Sequence, residues 1–497
     1  MTTAGQPRAI PGPLSANLVE RLALSECPSL TARRKRRAEQ SGHSHDPVVW
    51  KHAQGVTVTD VDDQTFIDLS ASFGTAALGH RHPRVEAALR NQLGRLWQGL
   101  GDMQPSEPKV RLLEKLAQLA PWPQARVMLG LSGSDSVEAA LKTALLATGR
   151  PGVLAFHGGY HGLSYGALCA CGYKPGFRQP FLEQLNREVH FAPYPGAQHS
   201  VDNTMQTLEY RCNDNIGAVI VEPVQARGGV HIPPSTFLPT LYQWCQQRDI
   251  VLIVDEIYTG LGRCGAWWLS AQESVYADVI CIGKALGSGM PISACVGRYD
   301  VMQAWGDSRG EALHTSTFAG YPLGCVAALE TLSVLEQEDL PTRALHTGEL
   351  VLSAWRQQLI GHDQVRDIRG KGLLLGIEFH QPRLALVLHQ RLLRVLGRDA
   401  AKARRGHFLL NFLAYLGVRL DPARVENRNL VVLRNDFLGN HQPCKSLNVT
   451  RLGVNLDTQL TCGTNRLLGG RQKRFLHRPD EYVAADALLP LPELENC

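Results

Sequence analysis

The sequence predicts an α/β protein, with a mostly parallel sheet covered by helices on both faces and a smaller α+β domain built from both chain ends. Two observations carry that expectation. Short apolar runs recur through the middle of the chain, separated by longer stretches of helical spacing. The runs are continuous rather than alternating, which is the pattern of strands buried on both faces.

Taken in order, residues 1–70 read as the N-terminal part of the smaller domain. Within them VTVTDVDDQTFIDLS, residues 56–70, reads as a hairpin with Asp62 and Asp63 at its turn. Residues 71–325 form the large domain, with strands expected at Val127–Leu131, Val153–Phe156, Ala218–Val221, Val251–Val254, Val279–Ile282 and Ile292–Val296. A helical pattern follows from about Gly324 to Glu338. Residues 326–396 begin the C-terminal part of the small domain, and Val365–Phe379 reads as a strand pair with a Gly-rich connection. In residues 397–497 the text KARRGHFLLNFLAY suggests a helix, but no clean period follows it. This tail reads as disrupted or replaced.

Composition narrows the function. Lys plus Arg number 51 against 46 Asp plus Glu, a formal charge of +5, which does not mark a nucleic-acid binder. The basic run Arg33–Arg37 reads as a solvated helix face. No stretch approaches the roughly 18 apolar residues of a membrane span, and the first twenty residues lack the pattern of a secretory signal. Twelve cysteines lie scattered, without a CxxC pair, as expected of a cytoplasmic protein.

The strand ends carry the chemistry, because open α/β sheets bind ligands beyond the carboxyl ends of their strands. After Val127–Leu131 comes SGSDSVEAALK, a helix start with Asp135 and Glu138 expected as its N-cap pair. Gly133 permits close approach there, Ser134 offers a hydroxyl, and free N–H groups suit a phosphate. Asp255 ends a buried strand and therefore needs a cation or an N–H donor, while Glu256 should point the opposite way. No metal is expected, because neighbouring Glu256 points away from Asp255 along an extended backbone. Lys284 follows Val279–Ile282 among small residues. It is not a P-loop lysine, since Asp278 stands where the first glycine belongs and Ala285 where Ser or Thr would hold magnesium. A desolvated strand-end lysine suits Schiff-base chemistry. Phosphate cradle, acid and amine are together what pyridoxal 5′-phosphate requires, and Tyr160 offers a face for its ring.

From about Asp60 to Phe379 the sequence resembles the class III, or ω-type, aminotransferases of PLP fold type I. The motifs that carry the resemblance are GHRHP, SGSDSVEAALK, GGYHGLSYGAL, EPVQARGG, DEIYTGLGRCG, IGKALGSGMP and HTSTFAGYPLGCVAALETL. The resemblance implies that Lys284 forms the Schiff base, Asp255 bonds the ring nitrogen, Gly133 and Ser134 hold the phosphate and Tyr160 stacks on the ring. Glu222 and Tyr258 complete the implied cofactor set. Glu222 matches a glutamate that in some members pairs with a substrate-binding arginine, and Tyr258 stands where many relatives have glutamine. Thr317 matches a threonine that reaches the neighbouring subunit's phosphate, which implies a homodimer. The implied reaction passes an amino group from an amino acid or amine donor to a 2-oxo acid. Racemisation, epimerisation or aminomutation on the same fold is the alternative, as is an impaired remnant with an atypical C-terminus.

Overall fold

A computed structural model describes residues 9–30, 47–307, 310, 312–359 and 361–381, with the backbone of 482–484. The basic run 33–37 and nearly all of the tail, including the helix suggested at 402–415, lie outside the described residues.

A small antiparallel sheet opens the chain: β1 (Trp50–Gln54), β2 (Thr57–Asp60) and β3 (Thr65–Ile67), in that order. Its second turn carries Asp62 and Asp63, with Asp63 at φ +58°. The main sheet has seven strands: β4 (Arg126–Gly130), β5 (Gly152–Phe156), β6 (Val189–Ala192), β7 (Ile216–Val221), β8 (Val251–Asp255), β9 (Val279–Ile282) and β10 (Ser293–Gly297). Their spatial order is β4-β10-β9-β8-β7-β5-β6. Only β10 runs against its neighbours. The reason is the connection, residues 283–292, which is too short for a parallel crossover.

Alternate residues of the central strands enter opposite cores. Leu154, Phe156, Val219, Val221, Leu252, Val254, Ile280 and Ile282 pack on one face, with Phe237, Leu238 and Leu241 of the helix Phe237–Gln246. Val153, Ala155, Ala218, Ile220, Ile253, Val279 and Cys281 pack on the other, against Val137, Ala140 and Ala144 of the helix Gly133–Thr148. Each large side chain buried this way contributes about 1.5–3 kcal/mol. Two covered faces explain why these strands read as uninterrupted apolar text.

Helices Pro322–Gln337 and Leu340–Leu359 lead to a third sheet. Here β11 (Val365–Lys371) pairs antiparallel with β12 (Leu374–Phe379), and β12 pairs with β13 (Tyr482–Ala484). Gly372, at φ +55°, makes the tight turn between the first two; a Cβ there would lie 2.6 Å from the Cys264 carbonyl carbon.

Candidate functional site

The strand order sets the carboxyl ends of β4, β9, β8, β7 and β5 along one edge of the sheet, the reversed β10 excepted. Most of the residues singled out by sequence leave that edge.

The helix Gly133–Thr148 starts there. Its N-cap is Ser132, not the Asp135–Glu138 pair expected: the Ser132 hydroxyl accepts from the Asp135 N–H at 3.3 Å, and the Asp135 carboxylate accepts from the Ser132 N–H at 3.0 Å. Asp135 sits three residues in, where its side chain can reach back to the cap. Glu138 instead accepts from the N–H of Gly166 at 2.8 Å. The N–H groups of Gly133 and Ser134 donate to no described residue. The Ser134 hydroxyl accepts from Leu163 N–H at 3.2 Å. A Cβ on Gly133 would approach Ile257 Cδ1 to 2.9 Å, so the bare backbone is needed there.

Asp255 ends β8 on the face of that helix. Its Oδ2 lies 2.8 Å from His161 Nδ1, and its Oδ1 accepts from Ile257 N–H at 3.0 Å. These bonds offset the cost of burying a carboxylate. Burial alone would lower the His161 pKa; the Asp255 hydrogen bond and charge, with Glu222, outweigh it and raise the pKa. His161 is the residue that sequence reasoning missed. Its partner is 94 positions away, and the only available signal was its place at a strand end beside an acid in search of a donor.

Glu222, after β7, is buried and accepts from the N–H groups of Tyr160 (2.8 Å) and Ala226 (3.2 Å). Burial raises its pKa to about 7 against the opposing pull of His161, with the Asp255 charge adding to the rise. Lys284 adopts φ +33°, an uncommon conformation for a residue with a side chain, costing on the order of 1 kcal/mol. Its ammonium lies over the Tyr258 ring, 4.3 Å from the centroid. Burial lowers its pKa; the Asp255 and Glu222 charges pull it up and Arg227 pushes it down.

Seven predicted positions therefore share one neighbourhood: Gly133, Ser134, Tyr160, Glu222, Asp255, Tyr258 and Lys284. Thr317 does not join them. It is exposed, and its carbonyl accepts from Gln98 Nε2 at 2.6 Å. The donor set fits pyridoxal phosphate: free N–H groups at a helix start for the phosphate, a hydrogen-bonded acid for a ring nitrogen, and an amine whose protonation burial disfavours.

Comparison with known proteins agrees. The family model for class III aminotransferases matches residues 38–396. The acetylornithine aminotransferase of Methanopyrus kandleri is 37% identical over 338 residues, 68% of this chain and 82% of that protein. That of Methanothermobacter thermautotrophicus is 34% identical over 400 residues, covering 80% and 94%. Among solved structures, a PLP-bound amine transaminase from an uncultivated Pseudomonas species superposes with a TM-score of 0.64 at 28% identity, over 72% of this chain and 86% of that one. The chain belongs to the class III aminotransferases, and with pyridoxal 5′-phosphate as its cofactor it passes an amino group from an amine-bearing donor to an oxo-acid acceptor.

Proposed function

We propose that Lys284 holds the cofactor aldehyde and moves the substrate proton, that Asp255 faces the ring nitrogen, and that Gly133 and Ser134 take the phosphate. Tyr160 and Tyr258 flank the ring, and Glu222 fixes the Tyr160 backbone. The observation that carries this reading is that Asp255 pairs in register with Cys281, three residues before Lys284 on the neighbouring strand, while Ile257 donates its N–H to Asp255 and packs where a Cβ on Gly133 would be. When bound, pyridoxal phosphate supplies an electron sink for a carbanion at the carbon bearing the amino group.

Each residue then has a physical task. Burial disfavours the charged form of the Lys284 amine, which raises the fraction present as the free amine, the form that acts as nucleophile and base. His161 and the Ile257 N–H hold Asp255 in one orientation, so its charge can favour a protonated ring nitrogen.

The assembly is read as a homodimer in which Thr317 serves the neighbouring site. Its exposure, and that of Phe318 and Leu313 beside it, supports a second copy packing there. A cytoplasmic setting is supported by the nine described cysteines, all of them free. Among the described residues no helix is long and apolar enough to cross a membrane.

The test is a screen of amine and amino-acid donors with 2-oxoglutarate and pyruvate as acceptors, run beside Lys284→Ala. The variant should lose turnover by about 10⁴-fold or more and retain no cofactor after borohydride reduction and denaturation. Ordinary turnover in the variant would remove Lys284 from its role.

A further inference from the structure

The loop after β7 carries a cation that none of these roles uses. Arg227 lies with its guanidinium carbon 4.2 Å from the Tyr160 ring centroid, 5.3 Å from that of Tyr173 and 5.8 Å from that of Phe177. A guanidinium held over aromatic rings keeps its N–H donors for a planar anion, because ring contacts do not satisfy them. One of its donors, Nε, is buried, and among the described residues it has no hydrogen-bond partner and no carboxylate lies within ion-pair distance of the group. Glu222, the nearest acid on the same loop, already accepts two backbone N–H groups.

The backbone beneath Arg227 is fixed from both sides. Gln225 and His231 exchange two hydrogen bonds across the loop, at 3.0 and 3.1 Å. Arg369 of β11 donates to the carbonyls of Gly229 and Val230 at 2.7–3.1 Å and to Glu378 at 2.8 Å. The cation is thus held beside the ring proposed to stack on the cofactor, and near enough to Lys284 for its charge to act on that amine.

We propose that Arg227 is the residue that receives the carboxylate of the amino-acid and 2-oxo-acid substrates, while the three aromatic rings around it hold the guanidinium in place. This rests on the placement of the cofactor between Lys284, Asp255 and Tyr160. A half-buried guanidinium with an unsatisfied donor costs free energy, and a carboxylate bound to it offsets that cost. The substrate class follows: acceptors with a carboxylate next to the oxo group are favoured over simple aldehydes.

The experiment uses the holoenzyme, its Arg227→Met and Arg227→Lys variants, and glutarate as an unreactive dicarboxylate probe. Calorimetry should show glutarate binding weakened about 10- to 100-fold by Arg227→Met and partly restored in Arg227→Lys. KM for pyruvate and for 2-oxoglutarate should rise in the same proportion with kcat changed less, while KM for acetaldehyde, which lacks the carboxylate of pyruvate, stays level. Bound cofactor should be unchanged. Equal glutarate binding in wild type and Arg227→Met, or no glutarate binding by the wild type, overturns the assignment. So does a fall in bound cofactor in place of glutarate affinity, which would make Arg227 a phosphate anchor. Failure of the wild type to transfer amino groups would instead count against the proposed roles around Lys284, and the glutarate titration would still report on Arg227.

Discussion

Asp255 and Glu256 are adjacent carboxylates, both buried, at the end of the same strand, yet they face opposite sides of the sheet and live in different chemistry. Glu256 accepts from Thr259 Oγ1, Leu269 N–H, and both the N–H and the hydroxyl of Ser270, all at 2.8–3.0 Å. Burial still raises its pKa, against the pull of those donors. It is saturated by its own chain and ties the loop after β8 to the short helix Leu269–Gln272. Asp255 has one backbone donor and one histidine, with a lysine within charge range. What separates the structural acid from the one proposed to face the cofactor is not burial, which they share, but how many of the surrounding donors belong permanently to the protein.

That contrast can be broken at several points. The largest effect is expected from Glu256→Ala, which strands four buried donors and should cost about 3–5 kcal/mol in denaturant unfolding, with activity per folded molecule within a few-fold of wild type. If activity per folded molecule collapsed while stability held, the division of labour would be reversed. Asp255→Ala should do the opposite, lowering kcat/KM about 10²- to 10³-fold with a smaller change in the unfolding midpoint.

A third test concerns Glu222 in the cofactor-free protein. Its folded carboxyl titrates near pH 7 rather than 4.5 because it is buried, so the folded state keeps a proton that the unfolded chain gives up. The associated stability is complete below about pH 4.5 and is lost as pH rises through 7. Glu222→Gln should remove that slope, worth about 3 kcal/mol across the window. Unfolding curves at several pH values measure it, and an unchanged slope would contradict the burial argument. The smallest effect is expected from Gly133→Ala, whose methyl must displace Ile257 Cδ1. Cofactor affinity, followed by reconstitution of apoprotein, should fall about tenfold, roughly 1.4 kcal/mol.

Much of this was legible in the sequence because the central strands are covered on both faces. Val153–Phe156 and Val251–Val254 are apolar throughout for that reason, and the residues after them stand out as chemically loaded. β6 escaped notice: Val189–Ala192 is an edge strand with a half-buried middle, and its VHFA text has no such run. The opposite direction of β10 left no mark in its own residues, since direction is set by the preceding connection. Ser132 was passed over because an aspartate and a glutamate at capping distance made an equally good local pattern; only side-chain geometry separates the two. His161 and Arg227 act through partners distant in sequence, and spacing rules do not reach that far.

One residue without any reactive group lies between several of the positions proposed to hold the cofactor. Ile257 donates its N–H to Asp255, and its side chain fills the space left open by Gly133 and sits 3.5 Å from where a Cβ on Gly283 would be, next to Lys284. On the proposed roles, a single aliphatic side chain thus spans from the acid to the helix start that would take the phosphate. On that reading a cofactor need not draw the two ends together, and a change in the bulk of that one side chain would alter the spacing between them.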